Sequence, residues 1–214
     1  MYHASHLRWI LAVLVAAICG LARETVEDAA IIARRLLDRS KNSVGTMATI
    51  YPANDPMLPG HPFSLQEYYA SCHKNGSLTL LFFPISRHSQ NIVGTPGHAA
   101  SISVTSEIPA ADSARVSLIG NVTVFAEGAS VPNVAELRRC YLERHPDAKW
   151  WIPDDKGGAH MAYWARFDPH SIYFVGGFGG RHYIGYIPLS LYQAASEVID
   201  DDPRTVENVL LEQW

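Results

Sequence analysis

AHMAYWARFDPHSIYFVGGFGGRHYIGYI, residues 159–187, is the stretch of sequence that decides the fold. From His160 to Phe167 the side chains alternate between two sets, as they do along a strand whose two faces differ. The run Ile172–Val175 is too apolar for a solvated edge and is typical of a central strand. Both runs flank the turn signal Asp168-Pro169. We therefore predict a long hairpin that turns at this dipeptide.

Four glycines surround one aromatic residue in the segment Gly176-Gly177-Phe178-Gly179-Gly180. Glycine at this density places backbone where a side chain would clash, as a bulge, a tight corner or a nearby ligand requires. A barrel corner at the end of the hairpin is the favoured interpretation. Close approach of the backbone to a ligand is the alternative.

The composition indicates one globular domain with a sizeable core, since 48% of the 214 residues are hydrophobic. The net charge is −4, with lysines and arginines scattered along the chain, so no nucleic-acid surface is predicted. No two histidines beyond residue 22 lie two or four positions apart, and the motifs H-E-x-x-H and C-x-x-C do not occur. We therefore expect no metal site.

The first 22 residues have the organisation of a secretory signal peptide. Arg8 precedes the apolar run Trp9–Ile18, and Gly20-Leu21-Ala22 supplies the small residues of a cleavage site before Arg23. An uncleaved anchor is the alternative. Cleavage would leave residues 23–214 as the mature domain, with no stable insertion in the membrane.

Two Asn-X-Ser/Thr triplets agree with export through the secretory route. Asn75 lies on a predicted turn that should be exposed, and Asn121 lies in a β-like run where it must occupy an exposed position. Both are expected glycosylation sites. The predicted location is extracellular or in the endolysosomal or vacuolar compartments.

Two cysteines, Cys72 and Cys140, remain in the mature chain. An oxidising compartment permits a disulfide, but the sequence does not show how far apart the two residues lie. Two buried free thiols are the favoured interpretation, and a Cys72–Cys140 disulfide is the alternative.

Helix and strand signals follow each other in an α+β, mainly β order. Thr25 can cap a first helix, and a Pro- and Gly-rich loop, 52–62, separates the first two strands. A last helix is predicted from Asp202-Pro203. Six or seven strands joined mainly by short turns favour an antiparallel barrel with flanking helices, since an open sheet would leave two long edges. The predicted helices are 25–38 and 134–143, and the predicted strands include 45–51, 63–70, 78–83, 99–104 and 116–125.

The C-terminal half carries several short motifs in order, namely His145-Pro146, Lys149-Trp150-Trp151, Phe178-Gly179-Gly180 and Leu191-Tyr192. In these motifs it resembles the CREG proteins. The order of predicted elements from about Glu24 to Ala195 fits the same family. The resemblance implies a secreted glycoprotein with a split β-barrel, related to the FMN-binding pyridoxamine 5′-phosphate oxidases. It also implies a homodimer, and in the CREG branch a function through binding a protein or receptor partner.

The related oxidases hold the FMN phosphate with a Ser-Arg-Lys step after the third strand. Ser86-Arg87-His88 stands at the matching place here, so the resemblance makes these three residues candidate cofactor ligands. A hydroxyl, a guanidinium and an imidazole can together coordinate a phosphate. The alternative is that Ser86 and Arg87 merely start a helical turn.

The sequence therefore leaves two classes of function open. The first is a non-catalytic CREG-like glycoprotein that acts as a homodimer by binding a partner. The alternative is an FMN-binding oxidoreductase, although the cation on the second strand and the Arg-rich C-terminal segment of the oxidases have no counterpart. Oxidation of pyridoxamine phosphate itself is therefore not expected.

Overall fold

The computed structural model describes residues 23–126, 129–153, 160–178 and 180–201. The predicted signal peptide, Gly179 and the predicted helix from Asp202-Pro203 lie outside these ranges. The α-helices in the described part are α1 (Val26–Asp38), α2 (Arg87–Gly94), α3 (Val134–Arg144) and α4 (Leu189–Asp201). The strands are β1 (Val44–Ile50), β2 (Pro62–Ala70), β3 (Leu78–Phe82), β4 (Ala99–Thr105), β5 (Arg115–Phe125), β6 (Tyr163–Val175) and β7 (Ile184–Ile187).

The strands form one antiparallel sheet in the order β3-β2-β1-β4-β5-β6-β7. A further pairing of β3 with β6 closes six of them into a barrel, and β7 lies outside it on the edge of β6. The predicted mainly β split barrel with flanking helices is thus confirmed. A closed ring of strands has no free edges. Here the ring has one gap, between β2 and β3, which pair through two residues only.

The predicted hairpin turn at Asp168-Pro169 is wrong, because β6 runs through this dipeptide without a break. Along β5, Ile119 pairs with Ser171 and Gly120 pairs with Pro169. His170 is therefore the extra residue of a β-bulge. On its other side β6 pairs with β3 as far as Phe167 and with β7 only from Ile172. The proline thus occupies the point where β6 changes partner, and its missing N–H leaves no ladder bond unmade there.

The corner of the hairpin is instead the glycine segment between β6 and β7. A side chain at Gly176 would collide with the carboxylate of Glu24, at 2.5 Å, and one at Gly177 would meet the backbone oxygen of Asp112 at 2.6 Å. The Glu24 carboxylate also pairs with Nδ1 of His182 at 2.9 Å. These glycines therefore make room for other parts of the same chain, which agrees with the barrel-corner interpretation.

Helix α1 covers the main core with a face of small and aliphatic residues, including Ala29, Ala33 and Leu37. The helix begins with a capping box, in which Thr25 and Asp28 form reciprocal hydrogen bonds. Arg34 is fully buried beneath α4, where it pairs with Asp38 at 2.9 Å and lies over the ring of Tyr192. Arg34, whose charge is neutralised by Asp38, thus connects α1 with α4.

A second apolar cluster lies on the outside of the barrel, where α3 packs against β2, β3 and β6. Tyr141, Ile152 and Trp164 are its largest buried members. Cys72 and Cys140 form a disulfide at its edge, with 5.9 Å between their Cα atoms. The favoured expectation of two free thiols is therefore wrong. Their distance depends on how α3 docks, which the sequence alone does not reveal.

The gap in the barrel lies beside β2. Its pairs with β3 are limited to Tyr69 with Leu80 and Ala70 with Thr79. The preceding residues, 62–68, pair with β1 alone. Leu65 faces the same way as its buried partner Met47 but is 60% exposed, because no neighbouring strand covers it.

Candidate functional site

The segment predicted to hold a phosphate begins α2, directly after β3. Ser86 is the N-cap residue of this helix: its hydroxyl accepts a hydrogen bond from the backbone amide of Ser89 at 3.1 Å. It also donates to the hydroxyl of Ser89, at 3.1 Å. Capping satisfies an amide that the first helical turn would otherwise leave without a partner. Ser86 therefore already has a structural role.

Arg87 points away from the helix toward the Pro-rich loop after β1. Its guanidinium lies 5.1 Å from the centre of the Tyr51 ring, and Nη1 is 3.8 Å from a carboxylate oxygen of Asp55. The backbone amides of Met57 and Leu58 also donate to Asp55, at 3.0 and 2.9 Å. They lower the pKa of Asp55, and Arg87 lowers it further. Arg87 is thus a partly exposed cation whose nearest partner is a firmly ionised carboxylate.

His88 points inward and is buried between β1 and β2. Its Nδ1 lies 3.1 Å from the hydroxyl of Thr49, which also accepts from the amide of Asn91 at 3.1 Å. Its ring packs edge-on against Phe63, with 4.9 Å between the centroids. Burial lowers the pKa of His88, and the nearby backbone carbonyl of Leu65 opposes this only in part. His88 is therefore neutral at pH 7 and forms part of a polar network inside the fold.

The three candidate ligands do not converge on one point. Successive residues of an α-helix project about 100° apart, so adjacent side chains diverge. Ser86 caps the helix, Arg87 meets Asp55, and His88 meets Thr49. As they lie here, the three side chains do not form a single phosphate clamp, and their role as FMN ligands stays a prediction. A dianion at Arg87 would approach the Asp55 carboxylate, and the neutral imidazole of His88 points to the interior.

Sequence reasoning missed Glu67, which lies on β2 beside the outer cluster. Burial raises the pKa of Glu67 to about 7, while a hydrogen bond from the backbone amide of Tyr68, at 3.2 Å, opposes the rise. Burial raises the pKa of Tyr141, and the charge of Glu67 raises it further. The only signal in the sequence is an acidic residue among the aromatic and aliphatic residues of a strand.

Apolar side chains are exposed on and beside β2. Tyr68 is 54% exposed although it packs edge-on against His145, and Leu65 and Ile85 are more exposed still. The carbonyl of Leu65 lies near His88, which places Leu65 close to the start of α2. We call Ile50, Leu65, Tyr68 and Ile85 the split surface. Leu65 and Tyr68 lie on opposite faces of β2, so these four residues are exposed apolar groups around its open edge rather than one flat patch.

Asn75 and Asn121 are both exposed, and Asn121 donates to the backbone oxygen of Gly97 at 2.6 Å. Within the described ranges no three His, Cys, Asp or Glu side chains are grouped as a metal site requires. No helix in the described part of the chain is long and apolar enough to cross a membrane.

Solved structures to which this chain is similar share little sequence with it. A heme binding protein from Mycobacterium smegmatis is 22% identical, with a TM-score of 0.58 over 81% of this chain and 62% of its own. The protein Atu2129, of unknown function, from Agrobacterium tumefaciens is 18% identical, with a TM-score of 0.52 over 69% and 56%. A pyridoxamine 5′-phosphate oxidase-related, FMN binding protein from Nostoc punctiforme is 15% identical, with a TM-score of 0.48 over 71% and 82%.

The first two likenesses show a shared fold and nothing more about this chain. No curated protein matches the sequence significantly. The sequence model of the family described as "CREG, beta-barrel" matches residues 24–194, which include the whole barrel and the start of α4. The chain belongs to the CREG β-barrel family.

Proposed function

We propose that this chain is a non-catalytic binding protein of the secretory route that works as a homodimer, and that the split surface forms the contact between its two copies. The observation that carries the proposal is the exposure of both faces of β2. A barrel strand ordinarily turns one face to the core, yet Leu65 on one face and Tyr68 on the other are each more than half exposed.

A second copy would bury the apolar side chains of this surface and cover the gap beside β2. A stable contact of this kind should bury well over ~1,000 Å² in total. The backbone of residues 62–68 has hydrogen-bonding groups on the side away from β1, and such an edge is a template for pairing with another chain. The partner recognised by the dimer is a protein or receptor.

The flavin-dependent alternative is less well supported by the same residues. The phosphate is the part of FMN that is most costly to desolvate, so its binding depends on unneutralised cations. Arg87 is the only cation of the predicted clamp, and Asp55 lies beside it. No contact among the described residues specifically favours a flavin site over the non-catalytic function.

The oligomeric state is tested by light scattering on the purified mature protein at micromolar concentration. We expect a dimer for the wild type and a monomer for Leu65→Arg, because a charge would be buried without a partner at the contact. Ile108→Arg is the matched control, since Ile108 is 79% exposed in the loop after β4. A monomeric wild type, or equal effects of both substitutions, would contradict the assignment of the split surface.

The visible absorption spectrum of the protein purified from its secreted form separates the two functions. A non-catalytic binding protein should show neither a flavin band nor the Soret band of heme, the group named for one structural neighbour. Titration with FMN at pH 5 and pH 7.5 should show no saturable quenching of flavin fluorescence. Saturable binding that is lost in Arg87→Ala would instead establish the flavin alternative.

Export is tested on the full chain expressed in a eukaryotic cell. Removal of the signal peptide should place the first residue near Arg23, and an endoglycosidase should increase the electrophoretic mobility. Asn75→Gln should remove most of that change. Recovery of the protein with Met1 retained would count against the secretory route.

A further inference from the structure

A groove of about 540 Å³ lies between the C-terminal half of α1, the start of β1 and the end of β4. Ile32 and Leu36 of α1 and Val44 of β1 contribute apolar wall, while Arg35 and Arg39 bring charge to the same space. A volume of this size is ordinary for a site that holds a small organic ligand. The groove is far from the Ser86 segment, because Val44 and the His88 contact at Thr49 are separated by five residues of β1, roughly 16 Å.

Arg35 is the most informative residue of the groove. Its Nε and Nη2 are shielded from solvent and make no hydrogen bond with any described residue. Burial lowers the pKa of Arg35, and the charge of the nearby Arg39 lowers it further. Buried guanidinium groups are ordinarily paired, because an unmade charged hydrogen bond is costly. Arg35 as a whole is half-buried, and the described part of the chain offers these two shielded nitrogens no acceptor.

The positive charge of Arg35 and Arg39 is not required to complete α1. The hydroxyl of Tyr69 donates to the carbonyl of Leu37 at 3.3 Å, and Arg144 donates to the carbonyl of Asp38 at 2.6 Å. The carbonyls at the end of the helix thus have other donors. The carboxylate of Asp38 is already paired with Arg34.

One acidic residue lines the groove, and it has a partner of its own. Glu107 pairs with Lys41 at 3.4 Å at the exposed rim. Among the described residues, neither Arg35 nor Arg39 has a carboxylate partner, and both lie beside an apolar wall in a chain whose net charge is −4. Serine and threonine hydroxyls complete the polar part of the lining. Those of Ser103, Thr105 and Ser106 already donate to backbone carbonyls, and the others can donate to an anion. The polar residues of this kind are Ser40, Thr46, Ser103, Thr105, Ser106 and Ser113.

We propose that this groove binds a phosphomonoester with a small apolar substituent, with the phosphate held by Arg35 and Arg39 and the substituent against Ile32, Leu36 and Val44. Two guanidinium groups match a dianion better than a carboxylate, because each presents parallel donors to phosphate oxygens. An anion between Arg35 and Arg39 would also relieve their mutual repulsion. The apolar wall distinguishes an organic phosphate from the free ion.

The test is calorimetric titration of the full mature protein with hexyl phosphate, inorganic phosphate and hexanol at pH 7. Hexyl phosphate should bind saturably, one per chain, and more tightly than inorganic phosphate, while hexanol should show no saturable binding. Arg35→Gln should weaken hexyl phosphate binding at least about tenfold, as expected for a lost charge-assisted hydrogen bond. Added salt should weaken it as well.

Two further variants serve as a second test of the groove and as a control. Arg39→Gln changes an exposed side chain, so it should weaken binding several-fold without loss of folding, even where Arg35→Gln proves unstable. Arg138→Gln removes the same charge from the exposed face of α3 and should change nothing. Absence of saturable binding by the wild type, equal binding of hexanol, or an equal effect of Arg138→Gln would overturn the proposal. So would dissociation of a dimer by Arg35→Gln in a protein that binds no hexyl phosphate, because the arginines would then belong to a subunit contact.

Discussion

The two sides of this barrel are built from strands of similar composition but are closed to different degrees. On the sealed side, β5 pairs with β6 along residues 115–125 and 164–175. On the split side, β2 pairs with β3 through only two residues at its end. Exposure follows pairing: buried and exposed residues alternate along β5, whereas most residues of β2 before Tyr69 lie open.

This difference teaches that an apolar strand residue need not serve the core of its own chain. Val116, Leu118 and Val122 on β5 are buried by their own barrel. Leu65 on β2 has the same chemical character and is mostly exposed. The apolar residues of the sealed side thus contribute to the core of their own chain, and those of the split side contribute little burial to it. Stability measurements can distinguish the two roles.

The largest effect is expected in the core of the sealed side. Phe174→Ala should lower the free energy of unfolding by about 3–5 kcal/mol, because the ring is completely buried and its removal leaves a cavity. Leu65→Ala is the matched change on the split side and should cost under about 1 kcal/mol in the monomer, since the side chain has little burial to lose. Urea denaturation measures both. Similar losses would mean that β2 contributes to the core as β6 does.

The disulfide should contribute nearly as much, on the opposite side of the barrel. The double variant Cys72→Ser and Cys140→Ser should lose about 2–4 kcal/mol, because the cross-link joins residues 68 positions apart and restricts the unfolded chain. Reduction of the wild type by dithiothreitol should produce a similar loss. An unchanged unfolding midpoint would show that the packing of α3 alone holds the split side.

Glu67 should make the split side sensitive to pH. Its pKa in the folded chain, about 7, is above the ordinary value of 4.5, so the folded state holds the proton more tightly than the unfolded state. The stabilisation is fully present below pH 4.5 and is lost as the pH rises through about 7. Glu67→Gln, which resembles the protonated form, should therefore be more stable than the wild type at pH 8 by at most about 3 kcal/mol.

The comparison of these two proteins at pH 5 and pH 8 isolates Glu67 from other groups. Burial lowers the pKa of His73 and His88, which acts in the opposite direction as the pH falls, but both histidines are present in either protein. Glu136→Gln, an exposed change on α3, is the control and should show no such difference. A constant gap between Glu67→Gln and wild type across this range would exclude the proposed titration.

The smallest effect concerns the bulge of the sealed side. Gly120→Ala should cost about 1–3 kcal/mol, because the added carbon would collide with the backbone of Asp168, which cannot move without disturbing β6. Gly180→Ala is the control, since a side chain there would enter open space. Thermal unfolding detects the difference. Equal midpoints would mean that the bulge can shift along β6.

Local signals explain which elements could be predicted from the sequence. The capping box of Thr25 and Asp28 and the strands of the sealed side depend on nearby residues. The dipeptide Asp168-Pro169 has the local chemistry of a turn and becomes part of a strand only through a bulge and a change of partner. Helix α4 directly follows Pro188. The sequence patterns described above do not predict this helix, although proline often precedes or opens a helix.

Prediction of the candidate site from the sequence is limited in the same way, because local signals do not show contacts between distant segments. The position of Ser86-Arg87-His88 directly after β3 could be predicted from the order of elements, but the directions of the three side chains depend on the helix they begin. The burial of Glu67, the unpartnered nitrogens of Arg35 and the Cys72–Cys140 contact arise between segments distant in the chain. Such juxtapositions leave no periodic signal in a single sequence.

The closure of the barrel also sets an order in time. Ser77, the third residue of the Asn75 triplet, is buried in the folded chain and donates to Asp168 at 2.7 Å, across 91 positions. At a synthesis rate of about 5–20 residues per second, Asp168 follows Ser77 by on the order of 5–20 s. An enzyme that recognises the whole triplet can contact the hydroxyl of Ser77 only before β6 has paired with β3. Thr123, in the Asn121 triplet, stays exposed after folding. The fraction of chains modified at Asn75 would therefore depend on how quickly the barrel closes, whereas the fraction modified at Asn121 would not.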